Sequence, residues 1–294
     1  MAEYAYSAPL SIDDAVGILE DHANSGRRAQ VLAGGTDLIV QMRGTDREPR
    51  TIVDIKRLEE TNRIDADGDD IYIGAAIASA VLDEHEELKR LLPGLLESAY
   101  LIGSTQIQGR ATLGGNLCNS SPAADTIPAM IANRGACVIA GPGGRREVPV
   151  EDFCTGVGTN VLEAGEFLLG LRFPRPAPGT ADAYLRFIPR TEMDIAVAGA
   201  GVSVTLDGNG VCTAARVGIG AVAPTPLIVP EAAESLVGTR VDDDALVAAG
   251  EACTAASSPI SDKRGTVSYR LKVVGVLCRR AGAIARDRVL ARGG

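Results

Sequence analysis

The chain has 294 residues, 46% of them hydrophobic, with a formal net charge of −9 and a pI near 4.9. That length supports a sizeable core and permits two domains. The acidic balance excludes a broad nucleic-acid footprint, and 3% aromatics with no Trp exclude a stacking platform for single strands. Six cysteines at 118, 137, 154, 212, 253 and 278 contain no C-x-x-C. Their spacing matches neither zinc nor iron–sulfur ligation and does not suit a dense disulfide framework, so reduced thiols and no metal site are expected. Met1-Ala2-Glu3-Tyr4 carries no basic n-region, and no apolar run approaches the roughly 18 residues of a membrane span. A soluble, cytoplasmic protein is expected.

In chain order, Ser11 followed by Asp13 and Asp14 predicts a helix start, with Ala15, Ile18 and Leu19 on its apolar face and an end near Asn24-Ser25-Gly26. Ala29–Leu32 reads as a short buried strand running into Ala33-Gly34-Gly35-Thr36-Asp37-Leu38. A short helix or turn over 37–42 and a strand over 51–55 close a β-loop-α-β unit. Gly68-Asp69-Asp70 is a turn before a strand at 71–74. Ser79 is placed as a helix cap, and Pro93 opens another helix. After the second glycine stretch, Ser121-Pro122 is placed as N-cap and N1 of a helix through Met130 and Asn133. Strands over 136–140 and 146–150 flank a turn at Gly141–Gly144, and 166–173 is a further strand.

Three prolines between 174 and 178, followed by Gly179, mark the best domain boundary. Beyond it, strands at 183–189, 201–206 and 211–219 include a hairpin turn at Asp207-Gly208-Asn209-Gly210. Helices over 230–237, 242–256 and 268 to about 288 follow. Strands succeeded by helices predict an α+β unit with helices on one face of an antiparallel sheet. From Asp262 onward there are nine basic and two acidic residues. That end either meets an acidic partner or flavin phosphates, or is the solvated face of a helix.

Neither glycine stretch is a P-loop, since no Gly-Lys-Ser/Thr follows, and neither has the G-x-G-x-x-G dinucleotide spacing. A single Gly-Gly is an ordinary turn. Two of them with hydroxyl followers can form paired anion nests of backbone N–H groups. Neither Gly-Gly segment contains Lys or Arg, so a diphosphate there relies on backbone donors and hydroxyls. About four such bonds supply a gross ~6–12 kcal/mol, comparable with the ~12 kcal/mol of a nanomolar site.

At these residues the sequence resembles the FAD-binding (medium) subunits of the molybdenum hydroxylases, of the xanthine, carbon monoxide and nicotine dehydrogenase type. Ala33-Gly34-Gly35-Thr36-Asp37-Leu38 is similar to the family's first pyrophosphate loop. Thr112-Leu113-Gly114-Gly115-Asn116, with Cys118-Asn119-Ser120-Ser121-Pro122-Ala123-Ala124-Asp125 after it, is similar to the second. Glu192-Met193-Asp194-Ile195-Ala196 resembles the opening motif of the C-terminal domain, and Asp262-Lys263-Arg264 with Tyr269-Arg270 its terminal signature.

The resemblance implies an α+β fold: a two-subdomain FAD-binding domain of the vanillyl-alcohol oxidase / p-cresol methylhydroxylase (PCMH) type over 1–177, divided near residues 56 and 57, and a C-terminal domain over 180–294. It implies that Leu32, Ala33, Gly34, Gly35, Thr36, Asp37 and Leu38 with Thr112, Leu113, Gly114, Gly115 and Asn116 cradle the FAD diphosphate. Asp125 would accept from FAD hydroxyls, or else serve only as a helix-start carboxylate. Leu168 or Leu169 would contact the cofactor, and Asp194 and Ile195 would sit near the isoalloxazine edge. Arg186 stands where relatives often carry lysine near the flavin, and is equally readable as a surface arginine. His22 and His85 lie outside both loops, so the resemblance implies non-covalent FAD, with Cys118 the one thiol close enough for a thioether link.

The implied function is an electron-transfer subunit of a heteromeric oxidoreductase. The molybdenum cofactor would lie on a large partner subunit and two 2Fe-2S clusters on a small one, assembled as a dimer of heterotrimers. The acceptor would be NAD, a quinone or oxygen. A self-sufficient flavoprotein of the same fold, and a non-redox nucleotide-binding module, are the alternatives.

Overall fold

Ser11 caps the first helix as expected, its Oγ accepting from the Asp14 N–H at 3.1 Å. The computed structural model describes residues 4–44 and 48–292. Its first layer is a small parallel sheet of β1 (Tyr4–Ser7), β2 (Arg28–Leu32) and β3 (Arg50–Asp54) in the order β1-β3-β2. The helices of this unit are α1 (Ile12–Asn24) and α2 (Leu38–Met42).

The chain then builds a second sheet from β4 (Ile64–Asp65) and β5 (Asp70–Gly74). Six helices follow: α3 (Ser79–Asp83), α4 (Glu86–Leu91), α5 (Pro93–Tyr100), α6 (Thr105–Gln108), α7 (Leu113–Cys118) and α8 (Thr126–Ala132). The sheet is completed by β6 (Ala136–Gly141) and β7 (Gly144–Pro149) and, after α9 (Val150–Phe153) and the hairpin of β8 (Cys154–Gly156) and β9 (Thr159–Asn160), by β10 (Phe167–Pro174). Its order is β4-β5-β10-β6-β7. One apolar core underlies both sheets, with Ile71, Ile73, Phe153, Phe167 and Phe173 wholly buried in it.

Two helix starts differ from expectation. Ser79 is the first residue of α3 rather than its cap, because its N–H and hydroxyl both bond the Ala111 carbonyl. Ser121-Pro122 does not begin α8. Ser121 Oγ accepts from the Ala123 N–H in a tight turn, and the Pro122 carbonyl accepts from Ala221 instead of from a helical turn.

The C-terminal sheet, β11 (Thr180–Phe187), β12 (Ala198–Leu206), β13 (Cys212–Gly220) and β14 (Leu227–Ile228), is antiparallel and in sequence order. Its helices are α10 (Pro230–Leu236), α11 (Asp243–Ala256) and α12 (Val267–Arg292). The period-2 alternation of strands gives this sheet two different faces. Ala198, Ala200, Val202, Val204, Val217 and Ile219 form a core with α10–α12. Gly199, Gly201, Gly218 and Gly220 occupy the other face, and this is where helix α8 of the preceding unit lies. A Cβ on Gly218 would come within 2.5 Å of the Pro128 carbonyl. Helices therefore cover both faces rather than the one expected, and the alternating glycines admit the second.

Candidate cofactor-binding cleft

The C-terminal ends of β2 and β3 and the start of α7 enclose a cleft of about 320 Å³, at the small end of ligand-site volumes. Ala33, Gly34, Gly35, Thr36, Asp37 and Leu38 line one side, and Thr112, Gly114, Gly115 and Asn116 the other. Ile55, Ala75, Ile102, Leu162, Phe167 and Leu168 give the cleft an apolar wall. Two stretches nearly eighty residues apart in sequence thus face one space.

The glycines do different jobs. Gly34 sits against the second loop: a Cβ there would lie 2.0 Å from the Arg110 carbonyl oxygen. Gly35 takes φ +79°, a left-handed conformation that side chains resist. Gly114 is pressed on Ala75, at 2.7 Å for an added Cβ. At Gly115 an added Cβ would meet only Thr112 Oγ1, at 3.0 Å, so this glycine keeps the cleft itself open. Close approach thus constrains three of the four positions, since an added Cβ on Gly35 would also lie 2.8 Å from Leu32 Cδ1.

Among the described residues, the backbone N–H groups of Gly34, Gly35, Thr36 and Asp37 donate to no other group of the chain. Amides left free beside a polar cleft suit an anion. The second stretch, expected as an open loop, is the short helix α7. Thr112 caps it, its Oγ1 accepting from Gly115 N–H at 2.8 Å. Asn116 Oδ1 accepts from the hydroxyl of the buried Thr126 at 2.6 Å. Gln41 of α2 donates to Asn119 at 3.2 Å and bridges the two sides of the cleft.

Burial pushes the Asp37 carboxyl above its ordinary value. Behind the first loop, Lys56 Nζ donates to the Ala33 carbonyl at 3.2 Å and to Asp54 Oδ1 at 2.7 Å, while Tyr6 donates to Asp54 Oδ2 at 2.7 Å.

The remaining candidates lie elsewhere. Asp125 and Arg186 are joined to each other: Arg186 Nη1 meets Asp125 Oδ2 at 2.5 Å, and Tyr184 donates to Oδ1 at 3.0 Å. Both side chains are about nine-tenths or more buried, between α8 and β11, so Arg186 is not a surface residue. Its Nε is buried with no acceptor among the described residues. Burial raises the Asp125 carboxyl to about 6, against the opposing pull of Arg186 and Tyr184. Leu169 is fully buried, and its carbonyl accepts from Ala75 and from the Tyr72 hydroxyl, whereas Leu168 faces the cleft. Asp194 is bound to Arg190 at 3.1 Å and to the Ile195 N–H at 2.8 Å, on the loop before β12, and Ile195 is half exposed. Neither lines the cleft, nor do Leu32 and Leu113. Ile102, Cys118, Asn119, Asn160 and Phe167 also line it; Cys118 and Asn119 continue the second motif, but no sequence signal singles out the others.

A parallel βαβ unit with a glycine turn at its carboxyl edge, facing a capped glycine helix across an apolar-walled cleft, defines a dinucleotide-cofactor domain. Residues 2–176 match the family model described as the FAD binding domain in molybdopterin dehydrogenase. Residues 183–284 match the CO dehydrogenase flavoprotein C-terminal domain. The chain is 37% identical over 286 residues to the carbon monoxide dehydrogenase medium chain of Afipia carboxidovorans, covering 97% of each. It is 31% identical over 292 residues to the xanthine dehydrogenase FAD-binding subunit of Escherichia coli O157:H7, covering 99% of this chain and 97% of that one. The reconstituted CO dehydrogenase from Oligotropha carboxidovorans superposes with a TM-score of 0.91 at 36% identity, covering 97% and 98% of the two chains. The chain belongs to the FAD-binding, medium-chain subunits of the molybdenum hydroxylases and is an oxidoreductase subunit.

Proposed function

We propose that this chain is the electron-transfer subunit of a heteromeric molybdenum hydroxylase, with FAD held non-covalently between the two glycine stretches. The observation that carries the reading is the cleft itself, where free amides of Gly34–Asp37 face Thr112–Asn116 across one space. Bound FAD would supply the redox chemistry, taking electrons from 2Fe-2S clusters on a small partner subunit, themselves reduced from a molybdenum cofactor on a large one, and delivering them to NAD, a quinone or oxygen.

This chain's own residues bind and orient. The first-loop amides and the α7 amide of Gly114 would take the diphosphate oxygens, and the apolar wall with Leu168 would exclude water from the ring system. Asp125 is committed to Arg186 and Tyr184. That supports a role in joining α8 to β11, and any contact of this pair with the cofactor would fall to Arg186 through its unbonded Nε. Asp194 and Ile195 would border the isoalloxazine only if the cofactor extends past Asn116 towards the C-terminal domain. Non-covalent attachment is supported by the histidines: His22 bonds Ile18 and Thr51, and His85 accepts from the Leu88 N–H. The Cys118 thiol is pushed up to about 12 by burial, which makes it a poor nucleophile.

The FAD-binding domain would span 1–177 in two parts meeting near 56 and 57, and the C-terminal domain 180–294. The assembly would be a cytoplasmic dimer of heterotrimers. Among the described residues no helix is long and apolar enough to cross a membrane. The test is anaerobic mixing of the FAD-loaded chain with pre-reduced iron–sulfur subunit. The visible flavin band should bleach; a band that persists in the assembled complex contradicts the reading.

A further inference from the structure

We infer that Lys56, held by Asp54 and Tyr6, is a positioning residue that sets the first glycine loop for its anionic ligand. The inference rests on the FAD reading above and adds a residue outside both glycine motifs. Lys56 Nζ donates to the Ala33 carbonyl at 3.2 Å. Because the peptide is trans and planar, fixing the Ala33 carbonyl turns the Gly34 N–H to the opposite side of the same plane. The Gly34 N–H has no acceptor within the described chain, and both Ala33 and Gly34 line the cleft.

The lysine is itself fixed. Its Nζ meets Asp54 Oδ1 at 2.7 Å, its own N–H donates to the same oxygen at 3.0 Å, and Tyr6 Oη donates to Oδ2 at 2.7 Å. Asp54 is buried at the end of β3. Burial pushes its carboxyl up, and the bonds from Lys56 and Tyr6 more than offset this, leaving it below its ordinary value. The relay thus runs from the edge strand β1 through β3 to the loop after β2.

The experiment titrates FAD into the full-length apo chain for wild type, Lys56→Met and Lys56→Arg, and records apo melting temperatures alongside. Lys56→Met should weaken FAD binding by about tenfold or more, with the apo melting temperature within a few degrees of wild type. Lys56→Arg should restore most of the affinity. Asp54→Asn and Tyr6→Phe should fall between, in that order of severity. Wild-type affinity in Lys56→Met overturns the inference. So does equal weakening in Lys56→Met and Lys56→Arg together with a fallen melting temperature, which would assign Lys56 a purely structural role. A wild-type chain that takes up no FAD would instead overturn the flavin reading itself.

Discussion

Gly34 rests on the carbonyl oxygen of Arg110, so closely that a Cβ would lie 2.0 Å from it. This contact joins the two halves of the cleft, one from the parallel βαβ unit and one from the helices between β5 and β6. Gly34→Ala must push the loops apart, since backbone rather than a pliable side chain stands opposite. A loss of about 1–3 kcal/mol is expected from this overpacking. Thermal denaturation together with FAD content of the purified protein checks it; unchanged values for both would show that the loops separate freely.

The Asp125–Arg186 pair should make stability depend on pH in a defined direction. The folded carboxyl titrates near 6, above its ordinary 3.8. Its contribution is therefore fully present below about pH 4 and is lost as pH rises through 6. Arg186→Met leaves that carboxylate buried without its cation, at a cost of about 3–5 kcal/mol at pH 8. At pH 5, where the carboxyl is mostly protonated, the cost should be distinctly smaller. Urea denaturation of wild type and variant at both pH values provides the check, and an equal cost at both would mean that the carboxylate is not the group responsible.

Gln41 and Asn119 span the cleft by one hydrogen bond at 3.2 Å between exposed side chains. Gln41→Ala removes about 0.5–1.5 kcal/mol of clasp without touching the core. The expected result is an FAD dissociation rate raised by up to about tenfold, with little change in melting temperature. Stopped-flow displacement measures the first, and a rate equal to wild type would show that the clasp does not gate release.

The sequence exposed much of this fold because its signals were local. Ser11 with Asp14, Pro93 and the Asp207–Gly210 turn each act within a few residues, and the corresponding elements lie within a few residues of expectation. Pro122 misled because its carbonyl is claimed by Ala221, a hundred residues away. Gly201, Gly218 and Gly220 alternate along two strands, but their purpose depends on α8 lying across them, while Gly199 leaves room for the Tyr184 side chain. The glycine pairs marked the cleft, yet sequence could not divide labour among them: Gly34 and Gly114 meet backbone of other segments, while a Cβ at Gly115 would meet only the Thr112 hydroxyl. Lys56 went unseen because its tie to Ala33 exists only once β2 and β3 run side by side.

If the space between Gly34–Asp37 and Thr112–Asn116 holds FAD, Gly115 is the position at which an added side chain must block it. An added Cβ there meets only Thr112 Oγ1, so a longer side chain enters the cleft rather than the core. The measurement is the FAD-to-protein ratio, by visible absorbance after incubation with FAD and gel filtration, for wild type and Gly115→Glu. One FAD per wild-type chain is expected, and almost none in a Gly115→Glu protein that still melts cooperatively. A folded Gly115→Glu variant with full FAD content, or a wild-type chain that stays colourless, would contradict it.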